Sequence, residues 1–235
     1  MTENLLFEKP QVPTVTIKGS PKKFPVKRVF CVGRNYEAHA REMGVEVDRE
    51  QPFYFIKTAF AVIPSGSHIP YPPGTDNYHY EMELVIAIGK DGFNISVEKA
   101  HDHIYGYAAG LDMTRRDLQL VAREKGRPWD LGKDFEQSAV ISEIVPASEI
   151  GHPESGAIEL QVNGAVKQSA DIDLLIWKIP EIIAHLSRFY HLSAGDLIYT
   201  GTPAGVGPVV AGDRITGSIA NVANIELTID NPAVD

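Results

Sequence analysis

The sequence holds a single cysteine, Cys31, in 235 residues. No intramolecular disulfide can form, so packing has to hold the fold. Cys31 lies in the apolar run Val29-Phe30-Cys31-Val32, where a small core residue is expected. Basic residues are also in deficit. Against 31 Asp and Glu there are 22 Lys and Arg, a formal charge of −9. That balance argues against a nucleic-acid partner and against an anionic membrane surface. No apolar run approaches a membrane span, and the opening MTENLLFEKP has neither a basic n-region nor a long apolar stretch. Internal repeats and low-complexity linkers are absent too. What is present is 43% hydrophobic residues in a chain long enough to bury a sizeable core. The expectation is a cytoplasmic enzyme or binding protein. A single domain over residues 26–235 follows an N-terminal arm or edge hairpin over 1–25.

Period and punctuation place the elements. RVFCVG (28–33) and PFYFIK (52–57) read as strands, and RNYEAHAREMG as a helix stopped by Gly44. The stretch 64–77, rich in Pro, Gly and Ser, reads as loop. HYEMELVIAIG (79–89) and HIYGYAAGLDMT (103–114) read as strands, and RRDLQLVAREKG (115–126) as a helix. Asn163-Gly164 between alternating runs predicts a two-residue hairpin. The spacing over 172–190 predicts a turn, then a helix with Pro180 in its first turn. Two strands, DRITGSI and NIELTI, follow. Strands outnumber helices without regular alternation, so the class is β-rich α+β.

The strand 79–89 raises a chemical question. Side chains alternate faces, so Glu81, Glu83, Val85 and Ala87 share one. A wet face would stay polar. This one turns apolar after two steps, which implies burial on both faces and two carboxylates at the mouth of a buried strand. Such a pair needs either a proton or a cation. Asp112, at the end of GYAAGLD, offers a third carboxylate. Three carboxylates without cysteine or paired histidine favour a hard cation, Mg²⁺, Mn²⁺ or Ca²⁺. Surface acids, or ion pairs with Arg115 and Arg116, are the competing reading. His39 and Glu42 share a helix face, and a carboxylate that orients an imidazole can make it a base for water. A solvated helix face is the bland alternative for that pair. Lys133, in LGKDFEQSA, reads equally as an exposed lysine. TGTPAGVG (200–207) is glycine-rich but is followed by no Gly-Lys-Ser/Thr, and it lacks the dinucleotide-binding spacing. Its N–H groups could converge on an anion, or it could be a tight turn.

Taken in order, GRNYEAHAREMG, FYFIK, HYEMELVIAIG, GYAAGLDMTRRDLQ, GKDFEQSA and TGTPAGVG resemble the fumarylacetoacetate hydrolase family, over about residues 26–230. The short acylpyruvase branch is the nearest in pattern. The resemblance implies a mixed-sheet β-roll and a homodimer. It also implies a metal, Mg²⁺ or Mn²⁺ with Ca²⁺ as a non-physiological occupant, on Glu81, Glu83 and Asp112. His39 and Glu42 match a water-activating dyad, and Lys133 a lysine beside the metal. Arg34, Lys57, Arg116, Gln119 and Thr202 match substrate-side positions. Lys57 is followed by Thr58 where the family usually has proline, which leaves that loop open. The implied reaction is hydrolysis of the carbon–carbon bond of a 2,4-dioxo acid, foremost fumarylpyruvate to fumarate and pyruvate, in the gentisate route of aromatic degradation. Two rivals stay open. One is an oxaloacetate decarboxylase or homoprotocatechuate-pathway decarboxylase/isomerase on the same scaffold. The other is a non-catalytic keto-acid-binding protein.

Overall fold

The computed structural model describes residues 5–44, 49 and 51–233, so the first four residues of the expected arm lie outside the described residues. An antiparallel ribbon joins β1 (Thr14–Thr16) to β2 (Lys23–Pro25). Then come β3 (Arg28–Gly33), α1 (Glu37–Glu42), β4 (Phe53–Lys57), β5 (Val62–Pro64) and β6 (Ser67–Pro70). β7 (Tyr78–Tyr80) and β8 (Met82–Ile88) precede β9 (Ile104–Asp112) and β10 (Thr114–Arg115). Next are α2 (Arg116–Glu124), α3 (Asp130–Lys133), β11 (Ala139–Ile141), β12 (Val145–Pro146) and α4 (Ala147–Ile150). The hairpin β13 (Ala157–Val162) and β14 (Ala165–Asp171) leads to α5 (Ile179–Leu186). β15 (Asp196–Tyr199), β16 (Gly207–Val209), β17 (Arg214–Ile219) and β18 (Ala223–Asp230) follow.

Local chemistry accounts for most boundaries. Gly44 and Gly126 take positive φ just past α1 and α2. Asn163 and Gly164 both have positive φ, the backbone a two-residue hairpin requires. A short 3₁₀ turn at Ile172–Leu174 precedes α5, which carries Pro180 in its first turn.

The strands form two main mixed sheets. The larger has the order β4-β3-β15-β8-β9-β11-β5, with β12 also on β9, and the second runs β14-β13-β17-β18-β6. All of β8 is buried. Met82, Leu84, Ile86 and Ile88 face a core shared with the second sheet and with Ile179, Ile182, Ile183 and Leu186 of α5. Val85 and Ala87 face a second core with Cys31 and with Val15 and Phe24 of the ribbon. Burial on both faces is thus what β8 shows.

Two expectations need correction. The stretch 64–77 is not all loop, because β6 adds to the second sheet parallel to β18. Its prolines sit at or beyond the strand ends, where no ladder hydrogen bond is lost. Residues 79–89 are not one strand either. β7 belongs to a third, three-stranded sheet ordered β10-β7-β16. The break falls at Glu81, and its partner strand breaks with it between β9 and β10, beside Asp112. The bend brings the carboxylates together.

Candidate active site

Three carboxylates converge at that bend. Glu81, Glu83 and Asp112 are buried, and one oxygen from each lies within 4.8 Å of the others. Their surroundings differ. Glu81 accepts from Arg116 and, at 2.7 Å, from Lys133. Burial opposes its charge, but Lys133 and Arg116 outweigh that and hold its carboxyl well below the usual range. Asp112 Oδ2 accepts from Lys133 at 2.7 Å. Its Oδ1 stands 2.9 Å from Lys57 Nζ. The Lys57 hydrogens go instead to the Met113 and Lys133 carbonyls and the Ser138 hydroxyl. Asp112 Oδ1 therefore receives charge but no hydrogen bond, a fully buried orphan. Glu83 has no cationic partner among the described residues, and only the Gly201 N–H, at 2.7 Å, reaches it. Burial, then Asp112 and Glu81, push its carboxyl well up. An orphaned oxygen and an uncompensated carboxylate side by side fit a hard divalent cation.

The helical pair is in place. His39 is buried, with Nδ1 3.1 Å from Glu42 Oε2. Glu42 also accepts the Gly205 N–H, at 3.1 and 3.3 Å to its two oxygens. A carboxylate so used is an acceptor, so His39 Nδ1 carries the hydrogen and Nε2 is left as the base. The glycine-rich segment therefore does meet anions, but they are side chains of this protein: Gly201 donates to Glu83 and Gly205 to Glu42. Gly201 has φ +101, and a Cβ there would lie 2.7 Å from the Asn35 Cβ. Only glycine fits. Asn35 itself is fully buried and joins α1 to both the Trp177 backbone and the Thr200 carbonyl.

One narrow cleft brings together Arg34, His39, Glu81, Glu83, Asp112, Arg116, Gln119, Lys133 and Thr202. Glu42 stands behind His39. Lys57 is not brought there. It is fully buried behind Asp112, and its contacts are protein groups only. Lys133 lines the cleft, yet its three hydrogens go to Glu81, Asp112 and Thr114. Burial disfavours its charge, but Asp112 and Glu81 raise its pKa. Arg116 is committed to Glu81 and Gln119. Arg34 has no anionic partner among the described residues. It lies over the Phe53 and Trp129 rings at 5.6 and 5.8 Å, on a left-handed backbone with φ 59.

A model of the fumarylacetoacetate hydrolase C-terminal domain matches residues 28–230. The chain belongs to the fumarylacetoacetate hydrolase family. Among family members, the fumarylpyruvate hydrolase of a Ralstonia species is 62% identical over 189 residues, 80% of this chain and 98% of that protein. The human mitochondrial oxaloacetate tautomerase is 40% identical over 206 residues, 88% of this chain and 93% of its own. The crystal structure of fumarylpyruvate hydrolase from Pseudomonas aeruginosa, in complex with Mn²⁺ and pyruvate, matches with a TM-score of 0.94. It is 52% identical, covering 97% of this chain and all of that one.

Some residues at this family site carry no signal in the sequence. Arg123 lines the cleft from α2, about one turn beyond Gln119, and Trp129 lies beyond it on the helix connection. Gln168 is fully buried in a strand whose neighbours are exposed. His79, on β7, holds Arg116 Nε at 3.4 Å by Nδ1, and its Nε2 lies 2.8 Å from Asn77 Oδ1. Burial, then Arg116, lower its pKa from 6.5 to about 4. The sign follows. Between those values the unfolded chain binds a proton that the folded one refuses. The contribution of His79 to stability is complete above pH 6.5 and drains away as pH falls towards 4. Thermal midpoints at pH 7, 5.5 and 4 should fall less steeply in His79→Gln than in the parent chain. Equal slopes would clear His79 of this role.

No helix among the described residues is long and apolar enough to cross a membrane.

Proposed function

We propose that the chain hydrolyses the carbon–carbon bond of acylpyruvates, with fumarylpyruvate and water giving fumarate and pyruvate. The carrying observation is one cleft that holds both a metal-type carboxylate triad and a separate histidine base braced by a carboxylate. Similarity to the two fumarylpyruvate hydrolases supports it. Glu81, Glu83 and Asp112 would hold Mg²⁺ or Mn²⁺. When bound, the cation supplies a Lewis acid for the oxygens of the 2-oxo acid and offsets the charge that grows on the pyruvyl fragment.

The protein's own groups do the rest. His39 Nε2 takes a proton from water, with Glu42 fixing the ring. The hydroxide so formed adds to the distal keto carbon. The bond between that carbon and the methylene collapses, fumarate leaves, and the pyruvate enolate takes a proton on carbon. Lys133 stabilises the developing charge as a fixed cation behind Glu81 and Asp112. Thr202 and Gln119 face the pyruvyl end. Lys57 acts on Asp112 and not on substrate. Residues 26–235 form the catalytic unit and 1–25 an arm. The same reading makes the protein a cytoplasmic homodimer in the gentisate route.

The distal carboxylate separates two arginines. Arg116 is occupied, whereas Arg34 meets no anion among the described residues and has Arg123 beside it in the cleft. Burial, then the Arg123 charge, lower the Arg34 pKa, so an anion there is unmet. Arg34→Met should cut kcat/KM for fumarylpyruvate roughly 10- to 100-fold more than for acetylpyruvate, which lacks that group. Arg116→Met should harm both alike, because it frees Glu81. An unchanged substrate ratio in Arg34→Met would remove the contact.

Similarity to the human oxaloacetate tautomerase favours a second reading, in which the same cleft interconverts the keto and enol forms of oxaloacetate. An absorbance assay with Mg²⁺ or Mn²⁺ against fumarylpyruvate, acetylpyruvate and oxaloacetate, with products identified, decides between them. Turnover of oxaloacetate alone would sink the hydrolase.

A further inference from the structure

Outside the triad and the dyad, one buried polar side chain reaches the cleft wall from a different sheet. Gln168 lies on β14 and is fully buried, although Ala165, Val166, Lys167 and Ser169 around it are exposed. The cause is a bulge. Leu160 pairs with Gln168 but Gln161 pairs with Val166, so Lys167 is an extra residue in the ladder. The shift turns Gln168 inward. The Lys167 carbonyl then packs against Gly205, where a Cβ would lie only 2.1 Å from that oxygen.

The polarity of the Gln168 amide is dictated by its neighbours. Its Oε1 accepts the Met82 N–H at 3.0 Å. β15 pairs with β8 only as far as Tyr199 opposite Val85 and the Thr200 N–H on the Leu84 carbonyl, so the Met82 N–H lies beyond that ladder. Its Nε2 donates to the Pro203 carbonyl at 2.7 Å and to Thr202 Oγ1 at 2.8 Å. A flipped amide would set a donor against the Met82 N–H and an acceptor against the Pro203 carbonyl. Neither can reverse its role, so the orientation is fixed. Thr202 Oγ1 is thereby an acceptor towards Gln168, and its own hydrogen must go elsewhere. Thr202 is buried and lines the cleft, and its hydroxyl gives that hydrogen to no acceptor among the described residues.

We infer that Gln168 is a positioning residue that holds the Thr202 hydroxyl as a hydrogen-bond donor to an oxygen of the keto acid in the cleft. The inference rests on the proposed function, since that reading supplies the ligand. It adds a residue that touches neither metal nor substrate yet sets the direction of one bond to substrate. The geometry gives a reason for the bulge: with unbroken pairing from Val166, position 168 would oppose Glu159 and turn to the outer face.

The test uses Mn²⁺-loaded protein and pyruvate as probe. Pyruvate affinity is read by competition against acylpyruvate turnover, and Mn²⁺ affinity by calorimetry. Thr202→Val should weaken pyruvate roughly 10- to 100-fold, as loss of a hydrogen bond to a charged group does, while Thr202→Ser keeps it. Gln168→Met should weaken pyruvate in the same direction with Mn²⁺ affinity unchanged. The double variant should bind pyruvate within about twofold of Thr202→Val alone, because one interaction cannot be lost twice. Gln168→Glu is the second variant should the methionine not fold. It keeps the Met82 contact but gives at most one hydrogen where glutamine gives two, so the same loss and the same non-additivity are expected. A merely structural Gln168 would lower the thermal midpoint, disturb Mn²⁺ through the Gly201–Glu83 contact and add its loss to that of Thr202→Val. Any of those last two results overturns the inference, as does normal pyruvate binding by Thr202→Val. Failure of the parent protein to bind pyruvate with Mn²⁺ would overturn the proposed function, and this inference with it.

Discussion

Glu83→Gln is expected to abolish turnover and to weaken Mn²⁺ by more than about 100-fold, since even loss of a residue that only supports a metal ligand costs 10–100-fold. The three carboxylates are not equivalent. Glu81 and Asp112 share Lys133, and Arg116 and Lys57 add charge beside them. Among the described residues, Glu83 accepts a hydrogen bond only from a backbone N–H. It is the carboxylate whose charge the protein leaves uncompensated, so it marks where a cation has most to offset. Glutamine keeps the volume, and its amide oxygen can still accept the Gly201 N–H. The variant should therefore fold, and without metal it should be at least as stable as the parent near neutral pH, because an unpaired buried carboxyl has been neutralised. That combination separates loss of a ligand from loss of the fold. Calorimetry with Mn²⁺ and a thermal scan of the metal-free protein check it. Parent-like Mn²⁺ affinity in a folded Glu83→Gln would falsify the metal site.

His39→Ala should slow hydrolysis of fumarylpyruvate by about 10²–10⁴-fold, the usual contribution of a positioned general base. Mn²⁺ affinity should stay within a small factor of the parent's. His39 lines the cleft from α1, and its side chain is bonded to Glu42 and not to the carboxylate triad. Keto–enol exchange or decarboxylation of oxaloacetate should survive better than hydrolysis, since neither needs hydroxide added to a ketone. Glu42→Gln gives a graded companion. It retains an oxygen that Nδ1–H can reach but loses the charge, so kcat should fall less than in His39→Ala. Metal binding that collapses along with hydrolysis in His39→Ala would place His39 among the ligands and not in a dyad. Full hydrolysis in that variant would remove it from the mechanism altogether.

The β-rich class, the positions of most strands and the stops at Gly44 and Gly126 follow from local rules, so they were legible in the chain. So was the two-faced burial of β8, because Val85 and Ala87 break the polar face that Glu81 and Glu83 begin. The helical spacing of His39 and Glu42 by itself puts that pair on one face. By contrast, β6 was hidden among turn-forming residues, and its pairing partner, β18, lies some 160 positions away. A parallel edge pair of that span has no local signature.

The roles within the site divide along the same line. A sequence supplies the residue types: three carboxylates and a histidine–glutamate pair favour a hard cation and a base, and the ordered motifs of the family resemblance set that reading above surface acids and a solvated helix face. It does not say which charges neutralise one another. Arg116 and Arg34 looked equivalent by motif position, and only the folded chain commits Arg116 to Glu81 and leaves Arg34 on two aromatic rings. Lys57 looked like a substrate contact and became the buried cation behind Asp112. Gln168 could not be singled out, because one inserted residue in β14 decides which face it takes. Hydrogen-bond partners and ion pairs are distances between segments far apart in sequence. Spacing along the chain fixes what each residue can do, and the tertiary contacts fix which of those things it is free to do.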